Sequence, residues 1–167
     1  ALLFGVLIFG GAGEVRGQIA LRGSNTNSAN NTSLTISRPT GLAVGDIMIA
    51  NIGQAGAFGG AGNLRNATAS GWTILAGEEI ENNFSGGWSP TTETWWQTIL
   101  YKIADAGDVV SPNFTFFGHP DTDHMIGGIV AFSGVDTSDP FDAVGTLTTG
   151  NGDDLVAQQI SPSTPGN

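Results

Sequence analysis

Apolar residues fall in short runs from one end of the chain to the other, and each run is bounded by Gly, Pro, Asn, Asp or Ser. They are Gln18 to Arg22, Thr32 to Ser37, Asp46 to Ile52, Trp72 to Ala76, Thr94 to Ile103, Asn113 to Phe117, Met125 to Ser133, Val144 to Thr148 and Leu155 to Ile160. Within Thr32 to Ser37, Leu34 and Ile36 alternate with hydroxyl residues, the period of a strand buried on one face. Ile47, Ile49 and Asn51 oppose Met48, Ala50 and Ile52 in the same way. The run Trp95 to Ala104 is the one helix candidate, and its β-branched and aromatic content favours a strand there too. Runs spaced by roughly 8 to 15 residues, with no helical period, predict an all-β antiparallel sandwich. The stretches Gly53 to Asn66, glycine-rich and without periodicity, and Gly77 to Thr92 are read as long excursions, the second with a hairpin tip.

The run Leu2 to Phe9 admits three readings: a strand buried on both faces, a signal-peptide core and a membrane element. A spanning helix needs about 20 apolar residues, and this run meets glycine-rich sequence well before that. Gly11-Ala12-Gly13 resembles the small residues before a cleavage site, but no basic segment precedes the run. The buried strand is the preferred reading, with residues 1–13 as strand and link and 14–167 as the sandwich domain.

Composition narrows the function. Only 12% of residues are charged, against roughly a quarter in an ordinary globular domain, and Gly, Ser, Thr and Asn replace them. A net charge of −10 with 5 scattered cations offers no footprint for phosphates and none for an anionic membrane surface. With no cysteine, disulfides, thiolate metal sites and cysteine nucleophiles are excluded together.

Four stretches, SLTISRPTGLAVGDIMIANI, GWTIL, LYKIADAGD with NFTF, and GGIVAFSGVDTSDPFD, resemble in their order a repeated β-sandwich module of bacterial secreted and surface proteins. The likeness covers roughly residues 19 to 145. It implies an immunoglobulin-like or jelly-roll-like sandwich used for display, adhesion or surface architecture, and it brings no catalytic residues. Modules of that kind continue past the "GVD…P" turn into an apolar closing strand, whereas Asp154 to Asn167 reads as a turn. The ends read together as QQISPSTPGNALLFGVLIFGG, a turn followed by a buried strand. The expectation is an extracellular, cell-surface structural subunit, not an enzyme, that polymerises head to tail with copies of itself. Leu2, Leu3, Phe4, Val6, Leu7, Ile8 and Phe9 would enter the neighbouring unit. One repeat of a tandem array would give the same text.

Candidate chemistry is sparse. His119-Pro120-Asp121-Thr122-Asp123-His124 has ligand and acid-base residue types, but a polar loop accounts for it equally. Asp136, Asp139, Asp142, Asp153 and Asp154 lie in oxygen-rich turns that would suit Ca²⁺, without EF-hand spacing; no other cofactor is expected. Sequons occur at Asn30, Asn31, Asn66, Asn83 and Asn113, with Asn66 and Asn83 in the excursions the preferred glycosylation candidates and Asn113 the less accessible. Trp88 and Trp96 are candidates for stacking on sugar rings, the basis of the rival reading as a monomeric carbohydrate-binding or adhesin module. Trp72, in the "GWT" stretch, is expected in the core, and adjacent Trp95 and Trp96 on opposite faces of a strand. A hydrolase built on the His119 to His124 loop ranks third.

Overall fold

The computed structural model describes residues 18–56, 66–84 and 93–141, and the side chains within them except those of 76–84 and 93–94. Among these residues the chain is mostly strand, in the order β1 (Ala20–Ala29), β2 (Ser33–Ser37), β3 (Ile47–Gly56), β4 (Thr73–Phe84), β5 (Glu93–Ile103), α1 (Ala106–Val110), β6 (Asn113–Phe117) and β7 (Thr122–Ser133). All ladders between these strands are antiparallel. One sheet has the order β1-β7-β3-β5-β4, and the other is β2-β6. The expected all-β class is therefore observed. Leu2 to Phe9, Val144 to Thr148 and Leu155 to Ile160 lie outside the described residues.

The alternation in β2 and β3 does what its period demands. Leu34 and Ile36 of β2, with Phe114 and Phe116 of β6, meet Met48, Ala50 and Ile52 of β3, Leu100 of β5 and Ile129 and Ala131 of β7 in one core shared by the two sheets. Close approach is possible because β7 carries Gly127, where a Cβ would stand 2.6 Å from Ile52 Cδ1 and 3.2 Å from Leu34 Cδ2.

Three elements depart from the expected pattern, each for a local reason. β1 continues through Ser24-Asn25-Thr26-Asn27-Ser28, where no apolar alternation is visible. Its inward residues are asparagines, whose Nδ2 groups donate to Arg38 O and Thr35 O at 2.7 Å each, so amides replace apolar contacts there. β4 runs to Phe84 and β5 starts at Glu93, so the first half of the Gly77 to Thr92 excursion is strand. Register shifts between Ile74/Ala76, Glu79/Glu81 and Asn82/Phe84 scramble its period. The helix α1 was not expected; Asp105 and Asp108 cap it reciprocally, each side chain accepting from the other's N–H at 2.9 Å.

Residues of the "VGD" and "YKIAD" stretches hold these elements together. Gly45 adopts φ 87° in the turn before β3, a conformation that favours glycine. Buried Asp46 accepts from Arg22 Nε (2.9 Å), Arg22 Nη2 (3.2 Å) and Ala43 N (2.8 Å), tying β1 to that turn. The backbone bonds Gly45 N to Ala104 O (2.9 Å) and Ala104 N to Asp46 O (2.8 Å) fasten the end of β5 to it as well. Lys102 Nζ lies 2.6 Å from Asp108 Oδ1 and 3.6 Å from Asp105 Oδ2.

Two outcomes follow. Asp46→Ala leaves the Ala43 N–H without its acceptor and releases the exposed Arg22 side chain, and should lower the urea midpoint at unchanged slope. The Asp105 carboxyl is held below the ordinary carboxylate range, first by the N–H of Asp108, then, against the opposing effect of burial, by the N–H of Gly107 and the charge of Lys102. A lowered folded pKa means stability fully present above the unfolded value and lost as pH falls through the folded one. Asp105→Ala should thus lower Tm at neutral pH, and the two proteins should converge in acid; a gap that persists into acid would show that charge is not the cause.

Candidate functional site

His119 to Asp121 form the turn after β6, and Thr122 to His124 open β7. Gln54, fully buried near the end of β3, accepts at Oε1 from His119 N (2.9 Å) and from Thr122 Oγ1 (3.0 Å). His119 Nδ1 accepts from the Asp121 N–H at 3.1 Å and lies 3.5 Å from Asp121 Oδ2. His124 Nδ1 is instead 2.9 Å from Asn30 Oδ1 on the β1–β2 turn. The two imidazoles thus serve different loop ends, and among the described residues no group of three His, Asp or Glu side chains is placed to hold a metal ion. The cluster's polar groups close a turn over a buried amide.

Asp136 Oδ1 accepts from Ser138 N (2.9 Å) and Ser138 Oγ (2.6 Å), an Asx turn, and Asp139 is exposed. Asp142, Asp153 and Asp154 lie outside the described residues, as does Trp88. Trp96 is half-buried, and its Nε1 donates to Asn66 Oδ1 at 2.8 Å, joining a glycan-stacking candidate to a glycosylation candidate. Asn83 belongs to β4, and its side chain is outside those described. Asn30 and Asn31 are exposed at the β1–β2 turn, and Asn113, expected to be less accessible, is exposed at the start of β6.

One partly uncovered strip among the described residues lies where the narrow sheet ends beneath the wide one. Phe117 exchanges backbone bonds with Thr68 (2.9 and 2.8 Å) on the side of β6 away from β2. By strand alternation Thr115 turns its N–H and C=O to that same side, where no described strand pairs with it. The chain then crosses to the wide sheet through Gly71, at φ 77°, and Trp72. The Trp72 ring packs edge-on against Phe114 (5.6 Å) and Phe116 (5.2 Å), so it is part of the core wall, as expected.

Two residues on, Ile74 sits opposite Leu100 and shares its inward face. Leu100 is fully buried, yet Ile74 is 41% exposed because the described part of the second sheet does not reach beneath β4. Trp72, Ile74 and the backbone of Thr115, which pairs with no described strand on this side, together offer an apolar floor beside hydrogen-bonding groups. Alternation in Gly71-Trp72-Thr73-Ile74-Leu75 already put Trp72 and Ile74 on one face. The sequence carried no sign that the covering sheet would end between them.

No helix among the described residues is long and apolar enough to cross a membrane. The chain matches no family model, no curated protein and no solved structure.

The contrast between the two neighbours is measurable. Trp72→Ala should cost about 3 kcal/mol, as for a core ring truncated to a methyl group. Ile74→Ser, on the same face but largely wet, should cost about 1 kcal/mol or less. Equal losses in urea titrations would mean that Ile74 is covered in solution.

Proposed function

We propose that this chain is a structural unit of an extracellular surface polymer. Its fold is read as a β-sandwich of the immunoglobulin-like or jelly-roll-like kind, and successive copies join by strand donation. The observation that carries the reading is the strip beside β4 and β6, where Ile74 is 41% exposed on an inward face and Thr115 has backbone groups facing no described strand. Such a place takes an apolar strand from another chain, whose backbone satisfies the free groups while its side chains cover the floor.

The segment Leu2 to Phe9 has the composition of that strand. Six large side chains, Leu2, Leu3, Phe4, Leu7, Ile8 and Phe9, at about 1.5–3 kcal/mol each amount to about 9–18 kcal/mol before ordering costs. A contact from one end of a copy to the flank of the next is heterologous and grows into a filament. Further support comes from the residues of the conspicuous motifs. Asp46, Lys102, Asp105 and Asp108 are engaged in holding strands and turns.

Light scattering and electron microscopy test the reading. The full chain should form polymers, and Leu7→Asp, Phe9→Asp or Ile74→Asp should each leave a soluble, folded monomer or small oligomer. Unimpaired filaments from all three would overturn it.

A second reading, a module that binds glycans, draws on the outward face of β3 and β5. There Gln97 Nε2 donates to Asn51 Oδ1 (2.8 Å), next in alternation to Trp95. An aromatic ring beside an amide pair is a suitable surface for a sugar. Oligosaccharide binding lost in Trp95→Ala, with no polymer from the parent chain, would favour this module over the filament.

A further inference from the structure

Among the described residues the wide sheet ends in two edge strands, β1 and β4, and they differ in how they are defended. β4 carries Glu78, Glu79 and Glu81 and has three register shifts along its ladder to β5. Charge and irregularity of this kind are how sheets keep other strands away from an edge. β1 has neither over most of its length. From Gly23 to Ala29 it reads Gly-Ser-Asn-Thr-Asn-Ser-Ala, with no charged residue and no proline, and its register on β7 is regular from Gly23 to Ala29. Its nearest charge, Arg22, is already held by Asp46.

On a chain of net charge −10, an edge without a carboxylate is where two copies meet without setting acids against each other. Among the described strands the edge is also open. β1 is largely exposed, its backbone pairs with β7 alone among the described strands, and Ile19 and Leu21 at its start are 62% and 65% exposed. The inward Asn25 and Asn27 are spent on Arg38 O and Thr35 O, which fixes the strand's position before any partner arrives.

We infer that β1 pairs with β1 of a second copy of this chain, antiparallel about a two-fold axis, so that two five-stranded sheets become one continuous sheet. The contact is isologous: each copy offers the same small hydroxyl residues, Ser24, Thr26 and Ser28, to the other on the outward face. Leu21 of each copy then adds apolar contact at the two ends of the ribbon. Pairing at β1 leaves the strip beside β4 and β6 free. Where strand donation also operates, the polymer consists of filaments joined side by side; the dimer itself does not depend on that reading.

The test uses the full chain carrying Leu7→Asp, which blocks strand donation and leaves β1 intact. It should sediment as a concentration-dependent dimer, and adding Thr26→Lys should weaken that dimer about fivefold or more, as like charges face each other across the ribbon. The chain has no cysteine, so Ser24→Cys, Thr26→Cys and Ser28→Cys can be placed singly. Mild oxidation should link at least one of them into a covalent dimer, since facing strand residues fall within disulfide reach, whereas Asn82→Cys on β4 should stay unlinked. If Leu7→Asp impairs folding, the same cross-links in the otherwise unaltered chain read the same contact. A chain that stays monomeric at all concentrations, or a dimer that resists Thr26→Lys and gives no β1 cross-link, overturns the pairing. Polymers that survive Leu7→Asp while β1 cross-links form would overturn strand donation alone.

Discussion

Among the described residues, a five-stranded sheet whose inward face is covered by two short strands is the constraint on which the rest of the structure depends. Leu34, Ile36, Phe114 and Phe116 fill the middle of that face, against β3 and β7. Neither flank can be covered in the same way, so each is closed by a different device. On the β1 side the inward asparagines reach down and hydrogen-bond the backbone around β2. On the β4 side Trp72 stands across the opening with its ring edge-on to two phenylalanines. A single large aromatic covers the core there, where no described strand does, and it stops short of Ile74.

The electrostatics follow from scarcity. With 5 cations against 15 acids, the chain uses Arg22 and Lys102 where one cation meets acids that also organise backbone. Asp46 joins β1, the turn before β3 and, through its backbone, the end of β5. Lys102 bridges β5 to the cap of α1. Burial fills the core, and these two cations tie its strands and turns together.

The polar clusters show why residue type alone is a poor guide to chemistry. His119 and Asp121 meet on the turn that Gln54 holds from below through His119 N and Thr122 Oγ1, but His124, already in β7, turns to Asn30. Gln54 sits in a strand at a position the alternation assigns to the core, and nothing in its neighbours indicates that a buried amide is needed there. Trp96 and Asn66 lie thirty positions apart and become partners only through the pairing of sheets and loops.

By itself the sequence determined the class of structure and most of its strands. Period-two burial in β2, β3 and β6 and turn residues between the runs are local consequences of side-chain alternation and backbone sterics. The β-branched and aromatic content of β5 resolved its one ambiguity correctly. Hidden from it were β1 beyond Arg22, where amides stand in for apolar side chains, and β4 beyond Ala76, where register shifts break the period. The short helix was hidden too, because its stability comes from two aspartates capping each other and from Lys102. Only the tertiary structure decided which described strands lie at the edges and how much of Ile74 is covered, since these depend on how far one sheet extends beneath another, a distance that no local pattern encodes.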